Sequence, residues 1–359
     1  MSLRVGVVGA GGFVGSRLVE QAVLLGKPDL VPIIRSYRSL GRVARFGVAC
    51  RMGDATRLES IGPAIAGCDA VVNVSLGETE QIETVVATLF EACRQQRVPL
   101  LIHVSSAEVY GRADQPGLND DSPPDLRHWM PYARAKGRAE NWLRSRLDNG
   151  QVRIVVLRPG LIWGPRSSWV AGPAKLILEN TAFLVGNGEG ICNLIYVDNL
   201  VSCVMAVAEA AGRVEGFFNV SDEETVTWRQ YYEALAAQMG IPKPAFHRVP
   251  DAPPGRTLVD HARGLLGTAP SRWIKGHLRG QTKARLRRWV LRLAGKEKRS
   301  GAVVASGPQV TKPLWWLQGT RSKLAADKFR RAYPGTPLIP FAQAMRQTGE
   351  WLRFGGFGG

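Results

Sequence analysis

Arg4-Val5-Gly6-Val7-Val8, followed at once by Gly9-Ala10-Gly11-Gly12-Phe13-Val14-Gly15, is the stretch that decides the fold. It joins an apolar run of strand length to three glycines spaced G-x-x-G-x-x-G. Val14, Leu18, Val19 and Ala22 then recur at the three- and four-residue spacing of an amphipathic helix. Glycine in such a turn lets the backbone approach a pyrophosphate, whose charge is met by the free N–H groups and dipole of the helix that follows. With 40 glycines in the chain, the triplet alone carries little. Its place between the first strand and the first helix gives it meaning, and predicts Gly9, Gly12, Phe13, Val14 and Gly15 at a bound dinucleotide.

Outward from this corner the pattern repeats. Leu30–Ile34, Ala70–Val74, Leu100–Val104 and Arg153–Leu157 read as further buried strands, with crossover helices between them, such as the one carrying Ile82, Val85, Val86, Leu89 and Cys93. The predicted fold class is α/β: a doubly wound parallel sheet with a smaller α/β substrate domain toward the C-terminal side. The dinucleotide-binding domain is expected over 1–165, completed by about 194–220. The second unit is expected over 166–193 and 221–359.

An acid about 20 residues past the glycine loop would take a ribose 2′-hydroxyl. Here that place holds Arg35, followed by Ser36, Tyr37 and Arg38, and cations there suit a 2′-phosphate. NADP is therefore expected in preference to NAD, with Arg35 and Arg38 as its ligands and Asp54 within reach of the adenine. The alternative is that both arginines are solvated surface charges.

Ser105-Ser106-Ala107-Glu108-Val109-Tyr110-Gly111 follows a buried strand, and Tyr132-Ala133-Arg134-Ala135-Lys136 lies on the next helix. Tyr and Lys four apart share a helix face, where an ammonium would lower the phenol pKa. A phenol so tuned serves as acid or base on a substrate hydroxyl, with the Ser106 hydroxyl orienting the same oxygen. Glu108 is a further catalytic candidate, weighed against an ordinary exposed carboxylate. The five histidines show no metal-ligand spacing, so no metal is expected, and His103 reads as a packed strand residue.

With these residues together, the chain resembles an extended short-chain dehydrogenase/reductase of the nucleotide-sugar epimerase/dehydratase type. The resemblance covers about residues 3–240. Its motifs are Gly9, Gly12 and Gly15, then Asp54, Ser106, Tyr132 and Lys136, then Leu157-Arg158-Pro159-Gly160-Leu161-Ile162-Trp163-Gly164-Pro165 and Ile195-Tyr196-Val197-Asp198-Asn199-Leu200. It implies a Rossmann sheet, Ser106, Tyr132 and Lys136 as the catalytic triad, Lys136 and Pro159 at the cofactor, and a homodimer. Glu108 stands where family dehydratases and decarboxylases carry a catalytic Glu, while Ala107 departs from the Asp of some dehydratases.

The chain has 359 residues, 45% of them hydrophobic and 21% charged, which excludes a disordered tail. Five scattered cysteines suggest reduced thiols in a cytoplasmic protein. No leader or membrane-spanning run is read in the sequence. Lys plus Arg number 47 against 30 acids, a formal charge of +17. Between Arg263 and Arg299 there are twelve basic residues and one acid, Glu297. This basic insertion, about 256–312, includes Leu286, Trp289, Val290 and Leu293 at helical spacing beside Arg285, Arg287, Arg288 and Arg292. It reads either as a core-packed helix with a solvated face or as a peripheral anchor on the inner face of an anionic membrane. In the second case Trp273, Trp315 and Trp316 would sit at headgroup depth. Nucleic acid is disfavoured, because no recognisable RNA or DNA module accompanies the charge.

The leading expectation is an NAD(P)-dependent oxidoreductase or epimerase acting on a hydroxyl/keto carbon of a nucleotide-activated or lipid-linked sugar. The alternatives are a 3-hydroxysteroid-type dehydrogenase at a membrane, and a non-catalytic binding protein of the same fold for membrane or RNA.

Overall fold

Strand β1 (Arg4–Val8) pairs in parallel with β2 (Asp29–Ile34) on one side and β4 (Ala70–Asn73) on the other, with Val5 opposite Leu30 and Ala70. The computed structural model describes residues 3–26, 28–111, 118–210, 214–251, 307–308 and 310–357. The basic residues from Arg263 to Arg299, and with them the expected amphipathic helix and Trp273, lie outside the described residues. Beyond β2 comes β3 (Arg51–Met52), and beyond β4 come β5 (Leu100–Val104), β6 (Arg153–Pro159) and β10 (Gly216–Val220). The seven-stranded order is β10-β6-β5-β4-β1-β2-β3, every pair parallel. The predicted strands recur within a residue or two. The additions are β10, within the 194–220 stretch expected to complete the domain, and β3, two residues with no apolar run to betray them.

Helices on both faces bury the sheet, which is why its strands are almost continuously apolar. One layer holds α1 (Phe13–Leu25) and α7 (Val197–Glu209), packed through Leu18, Val19, Leu200 and Val204. The other holds α3 (Leu58–Ile65), α4 (Ile82–Gln96) and α5 (Pro131–Arg144), packed through Ile61, Leu89, Ala139 and Leu143. A single turn, α2 (Tyr37–Leu40), follows β2.

A third apolar cluster lies outside the sheet. It is built on Trp163, Trp228, Tyr231, Tyr232 and Met345, from β7 (Leu161–Trp163), α8 (Trp228–Gln238) and α11 (Phe341–Phe354), with α6 (Ser168–Leu178) and β9 (Leu194–Tyr196) around them. Two more strands, β8 (Phe183–Val185) and β11 (His247–Val249), pair in parallel beside it. Helices α9 (Lys312–Gln318) and α10 (Asp327–Ala332) complete the described chain.

Helix α9 corrects one expectation. Trp315 is not at headgroup depth: it is 3% exposed, packs on Phe183 and Val185, and donates its indole N–H to the Pro250 carbonyl at 3.2 Å. Trp316 turns its ring against His128 and Trp129. Both serve the protein's own interior, because α9 folds back onto it. Among the described residues no helix is long and apolar enough to cross a membrane.

Candidate active site

The strand order reverses between β1 and β4, and a cleft of about 680 Å³ opens at their C-terminal ends. Its floor is the glycine loop. Gly9 sits at φ +90°, and a Cβ there would lie 2.8 Å from the Ser75 backbone. A Cβ on Gly15 would lie 2.2 Å from the Gly9 carbonyl oxygen, so helix and loop touch backbone to backbone. Helix α1 begins with no side-chain cap and no acid in its first turn, leaving its first N–H groups to an anion. A pyrophosphate fits this cradle.

Gly9, Gly12, Phe13, Val14, Arg35, Asp54 and Pro159 all line the cleft. Gly15 lies just beneath, buried in α1. The two arginines part company: Arg35 lines the cleft, whereas Arg38 is exposed and is not among the lining residues. Asp54 accepts from the Thr56 N–H at 3.0 Å and hydroxyl at 2.8 Å, which holds its carboxylate below the usual range, helped by Arg35.

Ser106, Tyr132 and Lys136 converge on the same cleft, with Glu108. Ser106 caps a 3-10 turn over Ala107–Tyr110, its hydroxyl accepting the Glu108 N–H at 3.1 Å. Pro131 opens α5 at a position that needs no N–H, and this places Tyr132 and Lys136 one turn apart. Lys136 is 2% exposed and donates to the Val104 carbonyl at 2.9 Å. Burial brings its ammonium down to about 8, with Glu140 pulling it back up.

The expected lowering of the Tyr132 pKa is not what the structure shows. Burial pushes the phenol up to about 12, the Ser106 hydroxyl that hydrogen-bonds it pulls down, and Glu108 and Glu140 push further up. Lys136 does not offset burial here. Its ammonium is tied to Val104, and its own charge is disfavoured by the same burial. Glu108 is no ordinary surface carboxylate either: its side chain is 14% exposed and burial raises it to about 7. His103 is buried with its Nδ1 3.1 Å from the Asn73 amide, a packed residue. Among the described residues no group of His, Cys, Asp and Glu could hold a metal ion.

Sequence reading passed over two neighbours of the triad. Glu140, one turn after Lys136 on α5, pairs with Arg158 at 2.7 Å, both side chains fully buried. Arg158 also reaches the Tyr110 hydroxyl and donates to the Asp120 carbonyl at 2.8 Å. The spacing of Glu140 was the available signal. The other is His128, whose Nε2 lies 3.5 Å from Glu108 Oε1. A contact between two loops carries no sequence signal.

The cleft is also lined by Met130, Leu161, Ser167, Ser168, Trp169, Pro313 and Leu317. Arg35 and Lys136 are the only cations among its described lining residues.

The chain is 27% identical over 270 residues, 68% of each chain, to a 2-alkyl-3-oxoalkanoate reductase of Shewanella oneidensis. It is 22% identical to a decarboxylating sterol-4-alpha-carboxylate 3-dehydrogenase of Dictyostelium discoideum, over 70% of this chain and 81% of that one. Its fold superposes on a crystal structure of dTDP-glucose 4,6-dehydratase from Bacillus anthracis in complex with NAD, with a TM-score of 0.69, 16% identity and 99% of each chain covered. The NAD dependent epimerase/dehydratase family model matches residues 5–221. With the strand order, the glycine cradle and that match agreeing, the chain belongs to the NAD-dependent epimerase/dehydratase family of enzymes.

Proposed function

We propose that this enzyme interconverts a secondary hydroxyl and a ketone on a largely apolar substrate, with Tyr132 as proton donor and acceptor. The observation that carries the reading is the pairing of Ser106, Tyr132 and Lys136 with a wall of Met130, Leu161, Trp169, Pro313 and Leu317. A phenol near 12 is protonated at neutral pH, ready to give its proton to a ketone oxygen. The Ser106 oxygen is already occupied by the Glu108 N–H, so its own proton is free to point at Tyr132 or at the substrate oxygen. Lys136 spends one donor on Val104 and keeps two for ribose hydroxyls. The nicotinamide, when bound, supplies or accepts the hydride.

Arg35 at the end of β2 favours a cofactor bearing a 2′-phosphate, so NADP is proposed over NAD. The 3-hydroxysteroid-type substrate fits the apolar wall, and the relatives named for alkyl-oxoalkanoate and sterol substrates support it. The sugar reading is supported by the family itself and by the likeness to the dTDP-glucose enzyme. A diphosphate beyond the cofactor would need cations, and the described lining around Leu161, Ser167, Ser168, Trp169, Pro313 and Leu317 holds none. A lipid-linked sugar reconciles the two. The test is a panel of hydroxysteroids, 3-oxo fatty acyl compounds, polyprenyl-linked sugars and nucleotide sugars, followed by cofactor absorbance and by product analysis for epimers. Turnover of an apolar member is the expected outcome. Turnover of nucleotide sugars alone would overturn the apolar reading.

A further inference from the structure

His128 is 2% exposed and clamped: its ring stacks on Trp129 at 5.7 Å and meets the edge of Trp316 at 6.1 Å. A Cβ on Gly111 would press on the ring at 3.2 Å, so the loop leaves room for it and little more. The Met130 N–H donates to Nδ1 at 3.1 Å. An Nδ1 that accepts places the hydrogen of the neutral ring on Nε2. That Nε2 approaches Glu108 Oε1 to 3.5 Å, and both atoms are buried with no hydrogen-bond partner among the described residues, so each is the nearest group that could satisfy the other.

We propose that His128 is the positioning residue of Glu108: Nε2–H holds Oε1, so the carboxyl's proton is carried on Oε2 and offered to the cleft. The reason is one of valence. An N–H facing a protonated carboxyl is best met by the carbonyl oxygen, the stronger acceptor, which leaves the hydroxyl on the other oxygen. Glu108 is held from behind as well, because its own N–H is bound to Ser106. The cleft therefore has two proton-carrying groups, Tyr132 and Glu108, both tied to one serine. The other charged groups facing His128 are Asp125, which favours its protonation, and Arg134 and Lys312, which oppose it with burial. Glu108 in turn faces Tyr132, whose phenol feels its charge.

The inference rests on the cleft being the active site, and the test separates the two. Full-length protein carrying carboxyl-labelled glutamate is titrated by carbon NMR, with the Glu108 signal assigned by its loss in Glu108→Gln. In the parent protein the Glu108 midpoint is expected above the ordinary carboxyl range, because burial raises it. His128→Asn keeps an acceptor for Met130 but has no donor reaching Oε1, and His128→Phe removes both. In each the Glu108 midpoint rises by roughly one pH unit, because the ionised form loses its donor. His128→Gln restores the donor and brings the midpoint back to within a few tenths of the parent, and the acid limb of the turnover profile moves with it. An unchanged midpoint in His128→Asn, or a His128→Gln midpoint as high as that of His128→Asn, overturns the proposal. Tyr132-dependent turnover persists in the three His128 variants if the oxidoreductase reading holds.

Discussion

The glycine-loop corner and the wall formed by α9 and the segment around His128 face each other across one cleft, yet they are held in different ways. The corner is fixed by close backbone contact: Gly15 against Gly9 within the loop, and Gly9 against Ser75 just past the end of the neighbouring strand β4. The wall is fixed by side chains far apart in sequence. Gln318 donates to the Phe183 carbonyl at 3.1 Å and accepts the Val185 N–H at 2.9 Å, and Trp316 rests on His128 and Trp129. Changes at the corner should therefore abolish activity whatever the substrate, and changes at the wall should alter which substrate is used.

The largest effect is expected at the corner. Gly15→Ala forces a carbon into a 2.2 Å gap, and the displacement of loop or helix should weaken cofactor binding and, as misplacements near 1 Å do, lower turnover by roughly 100-fold or more. Cofactor titration by fluorescence checks it. Beneath both regions lies the fully buried pair of Arg158 and Glu140. Arg158→Met leaves Glu140 buried and unpaired, and should cost roughly 3–5 kcal/mol in denaturant unfolding.

Glu108, on the wall side, gives a pH signature. Its folded-state pKa of about 7 lies above the ordinary 4.5, so the folded protein binds more protons between those values and stability falls as pH rises through the window. The loss is at most about 3 kcal/mol, complete above pH 7. Glu108→Gln should flatten that slope, as unfolding at pH 5 and pH 8 would show. The smallest effect returns to the corner. Arg35→Ser should lower the preference for NADP over NAD by roughly 10-fold, a single charge-assisted contact. Equal affinities in the parent protein would remove Arg35 from the cofactor site.

The same contrast explains what could be read in the sequence. Strands buried on both faces and a glycine loop between strand and helix declare themselves locally, so β1, β4, β5 and their crossovers were legible to within a residue or two. Ser106, Tyr132 and Lys136 were legible because the motif order fixes their elements. The direction of the Tyr132 pKa was not. Helix spacing places the lysine but gives neither its depth nor its bond to Val104. Glu108 looked like a surface carboxylate until His128 and the chain around it buried it. Trp315 carried the composition of a membrane-interface residue and found its partner instead in β8. Wherever the answer depended on distant chain, composition misled.

The central claim is that Tyr132 moves the proton in a nicotinamide-dependent interconversion of hydroxyl and ketone. The most direct measurement takes Tyr132→Phe and the parent enzyme through the same two assays, NADP binding and turnover of the best panel substrate. Turnover lower by roughly 10²- to 10⁴-fold with NADP binding within about twofold is the predicted result. Turnover unchanged by the loss of one hydroxyl would contradict it.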